Sequence, residues 1–268
     1  MKRNYYVVLL SLFSISVMYG QVEFEFSYPS GDVYRTVFPF TGERYVWRDA
    51  QPGIYELYNE NHQLEEVIDA KVEGADLLSV NLISEGVYSN EAGLYTVATY
   101  FANGTVQQRI LGPNQETVFM KEGGGFLSPI PASGDNYFLT YFENDNVGSG
   151  SDLEVYSIPD FDLLSVIPNA LSPLRRVVLN DGNILFYLLN SLNQILLFDI
   201  NLSPAGIVSL DVPTDHFIIL QEAYQTLFDD DASVEFIVGF YDFNTAGYQT
   251  QVLDQSGNIE FATDSYLV

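Results

Sequence analysis

The chain of 268 residues carries 36 acidic against 10 basic side chains, a net charge of −26, and no cysteine. That charge repels phosphate backbones and anionic membrane surfaces, which sets nucleic acid aside as a partner, and the missing thiols exclude both a disulfide framework and an acylated lipoprotein cysteine. With 47% hydrophobic residues, 19 Tyr and 19 Phe, the chain is no disordered tail, and its aromatic density favours pleated sheet over helix.

The N-terminus, "MKRNYYVVLLSLFSISVMYG", sets Lys2 and Arg3 before an apolar stretch from Tyr5 to Val17. That stretch is too short to span a bilayer and reads as a signal peptide over residues 1–20, with an uncleaved anchor as the alternative. Cleavage after Gly20 leaves residues 21–268, charged −28, as one repeat-built domain without membrane insertion, placed in the periplasm, at the cell surface or outside the cell. A chain of this size holds together by core burial, hiding roughly three quarters of its unfolded surface.

Beyond position 30 a unit of strand, polar turn and strand recurs. The first copy has "RYVW" from Arg44, then the hairpin "IYELYNENHQLEEVI" from Ile54; the second has "DLLSVNLI" from Asp76, "LYTVATYF" from Leu94 and "VQQRILGPNQETVFM" from Val106. "YFLTYF" from Tyr137 and "DLEVYSIPDFDLLSVI" from Asp152 make the third. "RRVVL" from Arg175, "ILFYLL" from Ile184 and "QILLFDINLSPAGIVSL" from Gln194 make the fourth; "HFIILQ" from His216, "EFIVGFY" from Glu235 and "YQTQVLDQSGNIEFA" from Tyr248 the fifth. Alternating hairpin strands bury one face, whereas the continuously apolar runs suit the middle of a covered sheet.

A large apolar residue closes the first strand of each hairpin: Tyr58, Leu111, Tyr156, Phe198 and Leu253, spaced by 53, 45, 42 and 55. The turns that follow use Asn, Asp, Pro, Gly and Ser, which accept tight reversals. Four strands per unit in five units predict an all-β fold, a five-bladed β-propeller of four-stranded antiparallel blades, with a β-sandwich as the rival. "VEFEFSY", Val22 to Tyr28, is expected to pair with the last blade and close the ring, which removes a free edge.

Val87–Phe101 laid over Leu227–Tyr241 at an offset of 140 matches Tyr88 with Phe228, Asn90 with Asp230, Glu91 with Asp231, and "LYTVATYF" with "VEFIVGFY". The acid cluster thus falls in the turn before a central strand. This aromatic and acidic turn, with "YQTQVLDQSGNIEF" and "GERYVW…IYELYNENHQLEEVI", resembles a group of bacterial secreted proteins, cargo of type IX secretion. Their β-propeller-like N-terminal regions carry no assigned activity. A C-terminal sorting domain usually follows in that group, whereas this sequence ends at "ATDSYLV".

The sharpest chemical reading is calcium, which takes six to eight oxygens. "FDDDAS", with Asp229, Asp230 and Asp231, and "ENDNVGSGSD" from Glu143 supply them by composition, although neither has the spaced ligands of an EF-hand loop. No other cofactor is indicated. There is no G-x-S-x-G, H-E-x-x-H or phosphate-binding loop, and the glycine run "KEGGGF" from Lys121 lacks the strand-to-helix setting that a phosphate loop requires. His62 is expected to face solvent in its turn and His216 to open a strand. Asn103-Gly104-Thr105 and Asn201-Leu202-Ser203 match the glycan acceptor pattern. The reading is therefore a non-catalytic binding or scaffold module at the cell exterior, with a protein or glycan ligand. The alternative is a carbohydrate-active hydrolase working through two carboxylates in a central funnel, with Tyr, Phe or Trp47 stacking on sugar.

Overall fold

The computed structural model describes residues 28, 31–49, 53–89, 92–134, 136–143, 150–212, 215–225 and 233–265. Their strands form five antiparallel sheets. The first contains β1 (Gly31–Phe38), β2 (Gly42–Asp49), β3 (Ile54–Tyr58) and β4 (Leu64–Asp69), and the second β5 (Asp76–Glu85), β6 (Leu94–Ala102), β7 (Thr105–Leu111) and β8 (Thr117–Glu122). The third contains β9 (Phe126–Pro131), β10 (Tyr137–Phe142), β11 (Ser151–Ser157) and β12 (Leu163–Ala170). The fourth follows with β13 (Arg175–Val178), β14 (Ile184–Leu189), β15 (Gln194–Phe198) and β16 (Pro204–Ser209), and the fifth with β17 (His216–Gln225), β18 (Val234–Asp242), β19 (Gly247–Leu253) and β20 (Ile259–Thr263). Within every sheet the strands lie side by side in chain order. The fold is a five-bladed β-propeller.

Core burial explains why these sheets stack. The first and second share Val46, Leu57 and Leu94, and the second and third share Val97, Ile110 and Leu139. Leu153, Val155, Phe186 and Leu188 join the third to the fourth, and Tyr187, Leu189, Phe236 and Val238 join the fourth to the fifth. β14 thus turns Phe186 and Leu188 to one neighbour and Tyr187 and Leu189 to the other, which is why "ILFYLL" has no polar face. Each such side chain contributes about 1.5–3 kcal/mol when taken from water.

The repeated hairpin is more regular than its sequence. In all five, the pairing slips by one residue at Tyr58, Leu111, Tyr156, Phe198 or Leu253, so each closing residue sits at a bulge and is buried. A left-handed residue follows in each turn: His62, Gln115, Phe161, Leu202 and Gly257. Three turns are pinned by the residue directly after the bulge. Asn59, Asp199 and Asp254 each accept two backbone N–H bonds through Oδ1, from Asn61 and Gln63, from Asn201 and Ser203, and from Ser256 and Asn258. That is the side-chain turn mimicry for which Asn and Asp are chosen.

Between blades a second device recurs. Glu85, at the end of β5, accepts hydrogen bonds from Phe40 N at 2.8 Å and Thr41 N at 2.9 Å in the β1–β2 turn. Gln225, at the end of β17, accepts one from Asn180 N at 2.5 Å in the turn after β13. Both partners of the second clasp lie 140 residues beyond those of the first, the offset seen in the sequence. β6 and β18, matched by that offset, are the second strands of the second and fifth blades.

Two inner strands, β1 and β9, carry no sequence signal of the expected kind. β9 holds Pro129 and Pro131, which argue against a central strand; at the inner edge of a blade their missing N–H groups have no ladder to break. His62 departs from the expectation of a solvent-facing turn residue. It is half-buried, with its Nδ1 2.6 Å from the Tyr28 hydroxyl and its ring 4.6 Å from that of Tyr45. Of the proposed closing strand, Val22–Ser27 lies outside the described residues, and Tyr28 rests edge-on against Tyr58 of the first blade.

Candidate binding cavity

Because every blade runs from inside to outside in the same strand order, the innermost strands start at a common end. There β9, β13 and β17 bound a cavity of about 500 Å³, lined by Phe126, Phe142, Leu171, Pro173, Phe217, Ile219 and their neighbours. Phe126 stands at its margin, 66% exposed. Exposed Phe217 and Ile219 line the same space, so the three side chains belong to one apolar patch.

The local sequence builds the walls. Gly123, with φ 126, and Gly125 lead into β9, and a side chain on Gly125 would come within 2.6 Å of the Phe142 carbonyl. The glycine run is therefore a blade linker that lets Phe126 pair opposite Phe142. On the far side, Leu171 N donates to Leu189 O at 2.7 Å and Ser172 Oγ accepts from Leu189 N at 2.9 Å, stitching the β12–β13 connection to the end of β14.

Two of the hydroxyls in the lining, and its cation, are already engaged. Thr140 Oγ1 donates to Ser128 O at 3.0 Å, and Ser172 Oγ also donates to Pro173 O at 3.2 Å. Arg175 donates to Gln221 O and lies 3.7 Å from Glu222 Oε1, so the one cation of the lining is balanced. Burial, and after it the charge of Glu222, push the phenol of nearby Tyr187 up to about 12, so that ring stays neutral.

Among the described residues no pair of carboxylates lines this cavity. The densest acidic cleft among the described pockets lies off the axis, between the first and second blades, where Glu65, Glu66 and Glu85 border about 200 Å³. Burial, with Glu85 adding to it, raises the pKa of Glu66. Glu85 is occupied by its turn and Glu65 by Arg44 Nε at 2.7 Å, so the cleft is built as an interblade joint.

The calcium candidates Asp229, Asp230 and Asp231 lie outside the described residues, as do positions 144–149 of the other acidic loop. No cluster of three metal-ligating side chains occurs among the described residues. His216 opens β17 as expected, opposite Asp242. Trp47 is buried in the first blade and offers no stacking platform. Asn103 and Asn201 both stand exposed in turns. Phe126, Arg175, Phe217 and Ile219 were not separable from core residues by periodicity, since convergence on the axis is set by blade order.

No protein-family profile and no curated protein matches the chain. Solved structures similar to it include Kluyveromyces lactis Hsv2, at 10% identity and TM-score 0.41 over 79% of this chain and 57% of that one. A Bacteroides caccae protein of unknown function aligns at 8% identity and TM-score 0.37, over 90% of this chain and 85% of its own. The Dos1 propeller aligns at 11% identity and TM-score 0.43, over 82% and 58%. The chain thus spans under two thirds of Hsv2 and of the Dos1 propeller. Likeness at this level says nothing of activity, and the blade count rests on the strand order itself.

Proposed function

We propose that the protein is an exported, non-catalytic binding module that receives an apolar group of its ligand in the cavity between β9, β13 and β17. The observation that carries this reading is the character of the lining: exposed Phe126, Phe217 and Ile219 around a space in which the hydroxyls of Thr140 and Ser172 are already hydrogen-bonded and Arg175 is paired. An apolar pocket of this volume favours burial of a ligand surface over proton transfer, which requires titratable groups within reach of the reacting atoms.

Export is supported by Lys2 and Arg3 ahead of Tyr5–Val17. Secretion in a bacterial host, followed by N-terminal sequencing, is expected to give a mature chain starting at Gln21. The binding reading is tested with Nile red, an uncharged apolar probe. Its fluorescence is expected to rise on mixing with the protein, and Phe126→Ser together with Ile219→Ser is expected to weaken that binding at least tenfold with an unchanged melting temperature. Equal binding by the double variant would refute the cavity as the site.

A further inference from the structure

We propose that the natural occupant of the cavity is an aromatic side chain carried by a basic peptide segment, an inference that rests on the cavity being the binding site. Two independent features of the same end of the molecule point there.

The first is charge. The register places Phe142 opposite Phe126 and Asp242 opposite His216, so the connections at these strand ends share the end of the blades at which the cavity lies. Asp76, Glu143, Asp152, Asp211, Asp215 and Asp242 all fall at that end, in strand ends and connections of the second to fifth blades. Thr245 and the backbone of Asn244 hydrogen-bond to Asp242 and hold its pKa below the usual carboxylate range, so it is ionised at any physiological pH. Of the cations at this end, Lys121 lies 2.6 Å from Glu154 and Arg175 is paired as described, and the acids outnumber the others, Arg48, Lys71 and Arg176. The field at this end is therefore negative. It attracts cations spread along a polymer better than a single small charge, because the six acids are spread over four blades and screening limits each one to about 8 Å.

The second is the lining. A sugar needs several hydrogen-bonding groups beside an aromatic face, and of the three hydroxyls on the described lining residues Thr140 and Ser172 have committed theirs to the backbone, which leaves that of Ser128. An indole or phenyl ring asks for no more than apolar surface, which Phe126, Phe217, Ile219 and Pro173 provide. An aromatic anchor in a desolvated pocket with charges at the rim is the usual division of labour at a peptide-binding surface.

The test uses three synthetic peptides on the full chain: a tryptophan flanked by lysines, the same tryptophan flanked by glutamates, and the lysine peptide with alanine at the centre. Calorimetry at low and moderate salt is expected to show the lysine–tryptophan peptide binding at least tenfold more tightly than either control. That affinity is expected to fall as salt rises, to fall with Phe126→Ser, and to fall several-fold with Asp211→Asn combined with Asp215→Asn. Nile red binding should survive the last pair, which reports on folding and on the cavity separately from charge. Equal binding of the two tryptophan peptides would overturn the basic partner while leaving the cavity reading in place. Equal binding of the alanine and tryptophan peptides would overturn the anchor, and displacement of Nile red by neutral oligosaccharides but by none of the peptides would replace the peptide with a glycan.

Discussion

At the scale of single residues, turn and clasp side chains each satisfy several backbone groups and so bear on stability out of proportion to their number. Asp254 Oδ1 accepts from Ser256 N and Asn258 N, and its Oδ2 accepts from Asn258 Nδ2 at 2.7 Å. Burial pushes its pKa up, but the hydrogen bonds together outweigh that and leave it below the ordinary 3.8. A folded value beneath the unfolded one means stability that is present above pH 3.8 and lost as pH falls through the lower folded value. Asn59 makes the same two backbone bonds with an amide oxygen. Asp254→Asn is therefore expected to keep the turn, and the gap in urea midpoint between it and the parent should narrow as pH falls from 5 toward 2. Glu85 gives a companion case. Glu85→Ala strands two turn N–H groups and is expected to cost about 2–3 kcal/mol in urea unfolding, whereas Glu85→Gln, which copies Gln225, is expected to stay within about 1 kcal/mol.

At the scale of elements, the hairpins were legible because their signals are local. The closing apolar residue, the polar turn and the alternation lie within some fifteen residues, and those at Tyr58, Leu111, Tyr156, Phe198 and Leu253 proved to mark five equivalent bulges. β9 was not legible, since its two prolines speak against a strand until its edge position is known. The role of His62 was equally hidden, because its partners Tyr28 and Tyr45 lie 34 and 17 positions away. Gly239 is another such case. It interrupts the apolar run of β18 because the Tyr248 ring from β19 lies across it, and an added methyl would strike that ring. Gly239→Ala is expected to destabilise by about 1–3 kcal/mol, the usual cost of overpacking. In a Tyr248→Ala background the same substitution should cost close to nothing, and a double-mutant cycle by chemical denaturation reads the difference.

At the scale of the whole molecule, blade number followed from the repeat period, whereas the cavity did not. It requires Phe126, Arg175 and Phe217, which lie about one blade apart in sequence and meet only when inner strands start at a common end. The acidic surplus was visible from composition, but its relation to the mouth of the cavity depends on which strand ends carry Asp76, Asp211 and Asp215. Radial arrangement is thus the claim on which both the site and its charge depend. The chain contains no cysteine, so paired spin labels can be placed without removing any native thiol. Single cysteines at Asn61, Asn114, Asp160, Asn201 and Ser256 sit exposed in the equivalent outer turn of each blade. Measured pairwise by electron–electron double resonance, a closed five-fold ring gives two classes of distance, neighbours and next neighbours, differing by a factor of about 1.6. The Asn61–Ser256 pair is expected in the shorter class, beside the Asn61–Asn114 pair. If Asn61–Ser256 were instead the longest distance of the set, the sheets would form an open stack, and the axial cavity would not exist as described.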